Sequence, residues 1–280
     1  MTAQTNSLSR NKGATRGETG RIFLAAMALF VVFTVVFALW PQLDILVSSL
    51  YHEASGKFAY SVSGFWRGLR TVFLRGFALW YVVITVSLWL SISKRERILG
   101  LDWRNWLYLL LCSVTGPLLL TNIILKEHWG RWRPHEVMQF GGKEQFAWPL
   151  DWSGSCADNC SFVSGEVSSA TMAFFAVALI SAMPVRRWLY GLSAVFWAVS
   201  ALMRIGQGGH FLSDTIFAGL FMMLIATALH RWLFSREDGQ PLFPADPGEA
   251  ARMVAATHDR LWKSVCNAGL ALLDRIAPRR

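Results

Sequence analysis

The sequence has little charge: only 16% of its 280 residues are Asp, Glu, Lys or Arg, whereas 54% are hydrophobic. This composition excludes an ordinary soluble domain and indicates a chain that crosses a membrane several times. Acidic residues are in the minority, with 18 against 27 basic ones, so the net charge is +9. We interpret this excess as basic flanks that are attracted to anionic lipid head groups.

Several familiar signatures are also missing. The positive charge is accompanied by no nucleic-acid-binding motif, and the chain shows neither an internal repeat nor a glycine-rich nucleotide loop. The first apolar run is long for a signal peptide and no small-residue cleavage site follows it, so we expect it to remain as an anchor. The partners that these patterns indicate are the lipid bilayer and a membrane lipid, not nucleic acid, and they favour no particular oligomeric state.

Six apolar runs follow one another along the chain, and we predict that each is a membrane-spanning helix. They cover residues 21–40, 76–92, 106–125, 167–183, 189–203 and 211–233. The predicted fold class is therefore all-α, a six-transmembrane-helix bundle over residues 21–233. Residues 1–20 are polar and are predicted to be a disordered cytoplasmic tail. For the cytoplasmic tail at 234–280, an interfacial amphipathic helix, an oligomer contact and a cover over the bundle all fit the pattern.

Lys and Arg residues indicate the orientation of the six runs. They cluster before run one, between runs two and three, between runs four and five, and after run six. The positive-inside rule places these flanks, and both termini, in the cytoplasm of a bacterial inner membrane. The connections after runs one, three and five then face the periplasm. They hold further basic residues that the rule does not explain.

The outward connection after run three contains two polar stretches that suit an anion. Lys126 and Arg133 lie seven residues apart, about two helical turns, so both side chains can project to one side. Ser164 and Gly165 open the fourth run, where free backbone N–H groups and the helix dipole favour negative charge. Each stretch alone is also explained by cations at the lipid head groups or by an ordinary helix cap. Their common position at the outward ends of the runs favours one shared site.

The third outward stretch lies between runs five and six and contains Arg204, His210 and Asp214. His210 and Asp214 are four residues apart, so on a helix the carboxylate can hold the imidazole in one tautomer. Ionisable residues at the edge of a membrane span are costly and are usually functional. A histidine that is oriented by a carboxylate, with a cation nearby, suits attack on a phosphoryl group.

The three stretches resemble, in order and in spacing, the motifs of the type 2 phosphatidic acid phosphatase (PAP2) family. Lys126 with Arg133-Pro134 matches the KxxxxxxRP element, Ser164-Gly165 the PSGH element, and Arg204, His210 and Asp214 the SRxxxxxHxxxD element. The resemblance covers roughly residues 106–233. It implies a six-helix membrane fold, no metal or other cofactor, and hydrolysis of lipid phosphates through a phosphohistidine.

The resemblance also implies a role for each matching residue. His210 would be the nucleophile, and Asp214 would accept a hydrogen bond from its other ring nitrogen. The phosphoryl oxygens would be bound by three cations and by the start of the fourth run: Lys126, Arg133, Arg204, Ser164 and Gly165. The chain would then be a phosphoric monoester hydrolase.

The sequence departs from the family pattern at Val163, at Met203 and at Glu166. Glu166 is the departure that bears on chemistry, because the family has there a second histidine that donates a proton to the leaving oxygen. We hold two hypotheses. In the first, burial raises the pKa of Glu166 and it is the general acid. In the second, it is an ion-pair partner that orients Lys126 or Arg133, while water or another acid serves the leaving group.

Cys156 and Cys160 lie in the long outward loop at 135–161. Outside the cytoplasm, so close a pair is expected to form a disulfide that pins the loop. A zinc site would need more ligands than this pair provides.

The predicted function is hydrolysis of a phosphomonoester or diphosphate of a membrane lipid at the periplasmic face. Candidate substrates are lipid A, undecaprenyl diphosphate, phosphatidylglycerophosphate and phosphatidic acid, and the Trp-containing loop at 135–161 favours the bulky sugar head of lipid A. Two alternatives stay open: phosphotransfer from lipid to lipid, and a non-catalytic protein that binds or transports phospholipids.

Overall fold

The computed structural model describes residues 13–152, 154–234 and 241–276. The regular elements in these ranges are helices, which confirms the predicted all-α class. The α-helices are α1 (Arg16–Leu39), α2 (Gln42–Ser49), α3 (Ala59–Val62), α4 (Gly64–Lys94), α5 (Trp103–Ser113), α6 (Lys126–His128), α7 (Gly165–Ile180), α8 (Val185–Gly206), α9 (Leu212–Phe234) and α10 (Pro247–Ile276). A π-helical segment, Val114–Leu125, joins α5 to α6, so these three form one continuous helix.

Five helices of the described residues are long and apolar enough to cross a membrane: α1, α4, the continuous helix Trp103–His128, α8 and α9. Because the hydrocarbon core offers no water to the backbone, a chain crosses it as helices that bond their own polar groups. Large apolar side chains face outward on these helices, as at Leu24 and Trp89. The chain is therefore a multi-pass membrane protein.

The sixth predicted run corresponds to α7, which is apolar but has only 16 residues. It packs against α8, α9 and the π-helical segment, and most of its side chains are buried. Protein surrounds it on several sides, and its N-terminal end carries Ser164 and Gly165. The predicted set of six helices thus consists of five spans and one shorter central helix.

The ends of the chain differ from the prediction in part. α1 begins at Arg16, because Thr15 caps it by accepting a hydrogen bond from the Glu18 N–H at 3.2 Å. Residues 16–20 are therefore helical and not part of a disordered tail, and residues 1–12 lie outside the described residues. In the second tail, residues 247–276 form α10, whereas 235–240 and 277–280 are outside the described ranges.

One end of the bundle gathers the functional stretches. α2 and α3, the connection at 129–164, the start of α7 and the turn between α8 and α9 all lie there. Under them, Phe162, Val163 and Val167 pack with Phe37 of α1 and Phe217 of α9 in a buried cluster. The polar residues of this end therefore stand on a close-packed apolar base.

Candidate active site

His210 lies in the turn between α8 and α9 and is completely buried. Its Nδ1 atom lies 2.7 Å from the carbonyl oxygen of Ser161. A carbonyl oxygen can only accept, so Nδ1 carries the proton and Nε2 keeps its lone pair. Nε2 is buried and has no hydrogen-bond partner among the described residues. Burial lowers the pKa of His210 to about 4, so the ring is neutral at pH 7.

Asp214 does not make the hydrogen bond that the sequence predicts. Its Oδ2 atom lies 3.7 Å from Nδ1 of His210, beyond hydrogen-bond distance, and the Ser161 carbonyl takes that place. The carboxylate instead accepts from the Ser161 hydroxyl and, at 2.9 Å, from the Phe211 N–H. Asp214 is therefore placed to influence the imidazole through its charge and through Ser161, whose hydroxyl it binds.

A buried arginine holds Asp214 from the other side. The guanidinium of Arg131 donates to Asp214, to the Ser213 hydroxyl at 2.9 Å, to Asp44 of α2 at 2.8 Å and to the Ala147 carbonyl at 3.0 Å. Asp44 in turn accepts from the Ser213 N–H at 2.8 Å. Arg131, Asp44 and Asp214 are all fully buried. We call these three residues the buried triad.

Sequence reasoning missed two members of the buried triad. Arg131 stands in the same basic stretch as Lys126 and Arg133, but spacing alone does not show which cation turns inward. Asp44 follows run one, in a connection that faces outward. A carboxylate on a short helix in such a connection is expected to be a surface residue. The guanidinium carbon of Arg131 also lies 4.4 Å from the ring centroid of Phe211, which adds a cation–π contact.

Glu166 is a buried ion-pair partner of two arginines. Its Oε1 atom lies 2.9 Å from Nε of Arg70 and 3.4 Å from Nε of Arg204. The ion-pair hypothesis named Lys126 or Arg133 as the partner, and the structure has Arg204 and the unforeseen Arg70 of α4 in that role. Opposite charges at these distances favour the ionised carboxylate, which has no proton to donate.

Two glycines allow cations to approach the backbone closely. A Cβ atom on Gly165 would lie 3.0 Å from Nζ of Lys126, and one on Gly209 would lie 2.3 Å from Nη2 of Arg204. Lys126 is thus placed at the N-terminal end of α7, and Arg204 beside the turn that carries His210. The Ser164 hydroxyl is buried there and has no partner in the described chain. It is free to donate to an anion.

Arg133 is oriented by the disulfide loop. Its Nη2 atom lies 2.7 Å from both the backbone carbonyl and the side-chain oxygen of Asn159. Cys156 and Cys160, which flank Asn159, form the expected disulfide. The loop is fixed to the bundle because the Cys160 N–H donates to the Lys126 carbonyl at 2.9 Å. The disulfide therefore supports Arg133 and, through the next residue, the Ser161 carbonyl.

A cavity of about 400 Å³ opens beside these residues. Four arginines contribute to its wall: Arg67 and Arg70 from α4, Arg133 from the connection, and Arg204 from α8. Its other lining residues are Ser61, Thr71, Leu74, His135, Gln207 and Gly209. The wall contains no carboxylate, so it suits an anionic ligand. In the sequence, Arg67 and Arg70 precede the second run in a connection that faces outward. The positive-inside rule predicts few basic residues there, and that exception was the sequence signal for them.

The arrangement places a neutral histidine nitrogen, Lys126 and the Ser164 hydroxyl near a cavity that four arginines line. Such a set can attack a phosphoryl group and stabilise the charge that develops on its oxygens. Within the ranges that the structure covers, no three His, Cys, Asp or Glu side chains lie together as a candidate metal site.

Similarities to known proteins agree with this chemistry. The profile of the PAP2 superfamily matches residues 105–238, which contain every stretch from Lys126 to Asp214. A lipid A 4'-phosphatase of Rhizobium leguminosarum is 34% identical over 213 residues, which cover 69% of this chain and 88% of the relative. The chain belongs to the PAP2 superfamily.

Two further proteins are similar to this PAP2 chain. A lipid A 4'-phosphatase of Francisella tularensis subsp. novicida is 29% identical over 206 residues, 73% of this chain and 92% of the relative. A transmembrane PAP2 type phosphatidylglycerolphosphate phosphatase from Bacillus subtilis, known from a crystal structure, has a TM-score of 0.46 at 19% identity and covers 74% of this chain and 92% of that one. As a PAP2 protein with several membrane-crossing helices, the chain is a membrane phosphatase.

Proposed function

We propose that this chain hydrolyses the 4'-phosphate of lipid A. The reaction type is supported by one observation. The Nε2 atom of the buried, neutral His210 has no hydrogen-bond partner among the described residues and lies next to a cavity that is lined by arginines. The substrate is supported by the lipid A 4'-phosphatases that the chain resembles over most of its length. A site at one end of the bundle suits a lipid whose phosphate lies at head-group level.

In the first step, Nε2 of His210 attacks the phosphorus atom. A nitrogen–phosphorus bond forms, the bond from phosphorus to the sugar oxygen breaks, and the sugar oxygen takes a proton from water. The negative charge on the phosphoryl oxygens is stabilised by Lys126, Arg133 and Arg204 and by the Ser164 hydroxyl. Preorganised donors of this kind commonly contribute a few kcal/mol each to transition-state stabilisation.

In the second step, water attacks the phosphorus atom and the nitrogen–phosphorus bond breaks, which releases inorganic phosphate and the neutral ring. Between the two steps, phosphorylated His210 is positively charged because Nδ1 keeps its proton. The Ser161 carbonyl accepts from that N–H, and the Asp214 carboxylate, 3.7 Å away, stabilises the charge. Arg131 and Asp44 keep Asp214 and Ser213 in place, so they are positioning residues.

We place the site at the periplasmic face of a bacterial inner membrane, with both termini in the cytoplasm. The basic flanks between the apolar runs support this orientation. The Cys156–Cys160 disulfide supports it independently, because structural disulfides form and persist outside the reducing cytoplasm.

The test is phosphate release by purified, detergent-solubilised protein, measured beside His210→Ala. The panel is lipid A, undecaprenyl diphosphate, phosphatidylglycerophosphate and phosphatidic acid. We expect release from lipid A that is lost in the variant, together with an acid-labile phosphohistidine in rapidly quenched wild type. Transfer of the phosphate to another lipid would instead identify a phosphotransferase. Saturable lipid binding without turnover, by folded protein, would identify a binding or transport protein.

A further inference from the structure

The cavity beside the active site has more positive charge than one phosphate requires. Of the four guanidinium groups in its wall, Arg70 and Arg204 share a single carboxylate, that of Glu166. A phosphomonoester dianion at the reacting position would be matched by Arg133 and Arg204, with Lys126 close by. Arg67 and Arg70 of α4 are left over. Arg70 borders the reacting position, because it shares Oε1 of Glu166 with Arg204, whereas Arg67 lies one helical turn nearer the N-terminal end of α4.

Arg67 and Arg70 lie three residues apart on α4, so their side chains leave the same face of the helix within one turn. Arg70 is fixed at 2.9 Å from Oε1 of Glu166, which lies 3.4 Å from Arg204. Arg67 is one turn nearer the N-terminal end of α4, further from Glu166 along the helix. Its guanidinium is exposed and has no carboxylate partner among the described residues.

The volume of the cavity also exceeds what one phosphate needs. At about 400 Å³ it falls in the range of sites that hold small organic ligands. Ser61 and Thr71 add hydroxyl groups to the α4 side of the wall, and Leu74 borders it toward the membrane. Guanidinium groups match the oxygens of a phosphate in a bidentate fork. The α4 side therefore has the chemistry of a second anion-binding position.

We propose that Arg67 and Arg70 form a second phosphate subsite, which binds a phosphate of the substrate head group other than the one that is hydrolysed. The inference rests on the proposed function and makes it more specific, because it assigns the enzyme to lipids whose head group carries two phosphates. A head group with only the scissile phosphate leaves Arg67 without a partner. When the head group carries a second phosphate, its binding at Arg67 raises kcat/KM.

The experiment compares lipid A that carries both of its phosphates with lipid A that carries the 4'-phosphate alone. The measured quantity is the ratio of kcat/KM for the two lipids. Wild type should prefer the bisphosphate, and Arg67→Ala should lower the ratio about tenfold, the order expected for one charge-assisted hydrogen bond at an exposed position. Arg67→Lys keeps the charge and should retain part of the preference.

Arg75→Ala is the matched control, because Arg75 is an exposed arginine of the same helix that does not line the cavity. It should leave the ratio as in wild type. An unchanged ratio in Arg67→Ala, or a wild type that does not distinguish the two lipids, would overturn the second subsite and leave the phosphatase intact. Absence of release from both lipids by folded wild type would overturn the proposed function, and this inference with it.

Discussion

Glu166→Gln distinguishes the two hypotheses for Glu166, an ion-pair partner of the arginines or a general acid for the leaving group. The structure gives the carboxylate two guanidinium partners, at 2.9 Å for Arg70 and 3.4 Å for Arg204. Glutamine keeps the size of the side chain but removes the charge, so both arginines lose their shared counter-ion. A hydrogen bond to a charged group contributes about 1.5–3 kcal/mol, and the exposure of Arg70 lowers the share of its bond, whereas the contact with Arg204 is an ion pair without a hydrogen bond.

A total loss of about 2 kcal/mol corresponds to roughly a 30-fold fall in kcat/KM. Because the loss arises from a misplaced Arg204, it should be equal for a lipid phosphate, which has a poor alkoxide leaving group, and for an activated aryl phosphate. The assay is kcat/KM of both substrates for wild type, Glu166→Gln and the control Glu127→Gln. Glu127 is an exposed carboxylate on α6, so the control should be close to wild type.

General acids typically contribute about 10²–10⁴-fold, and an activated aryl leaving group does not need one. A large loss on the lipid phosphate with the aryl phosphate spared would therefore refute the ion-pair role. It would mean that Glu166 is protonated when substrate is bound and that it delivers this proton.

Three other variants or conditions test the rest of the site. Arg131→Met should lower the thermal inactivation temperature in detergent, because two buried carboxylates, Asp44 and Asp214, lose their shared cation. The expected loss of folding free energy is about 3–5 kcal/mol. Inactivation at the wild-type temperature would contradict this. The His210 ring should stay neutral down to about pH 5 and gain a proton only as the pH drops through its pKa, about 4, because burial disfavours the charged form. An NMR titration of the ring in substrate-free protein that gave a pKa near 6.5 would show that the ring is not desolvated. Gly209→Ala should fold normally but lose at least tenfold in kcat/KM, because the new Cβ would stand 2.3 Å from the Arg204 guanidinium; wild-type activity would show that Arg204 tolerates the displacement.

Local pattern was enough to predict the apolar helices, and the resemblance to family motifs indicated the candidate site residues. A run of apolar residues in a membrane has to be helical, and the spacing from Lys126 to Arg133 or from His210 to Asp214 is short enough to be read from the sequence. Their partners could not be predicted in the same way. Arg131 meets Asp44 across 87 residues, and Arg70 meets Glu166 across 96.

These long-range pairs depend on how the helices pack, and one sequence contains no local signal for packing partners. The partner of the His210 ring was mistaken for a related reason. Four-residue spacing brings Asp214 near the imidazole, but the carboxylate turns toward the Phe211 N–H at the start of its own helix. The carbonyl that takes its place belongs to Ser161, 49 residues earlier in the chain.

The family match begins at residue 105, yet the site draws Asp44, Arg67 and Arg70 from helices that precede it. In the proposed mechanism the matched region holds the reacting atoms, whereas residues that precede it line the α4 side of the cavity, where we propose that the rest of the head group binds. Exchanging α3 and α4 between two such enzymes would alter which lipids they accept without touching the nucleophile. Substrate range can therefore diversify in this architecture while the bond-breaking step stays the same.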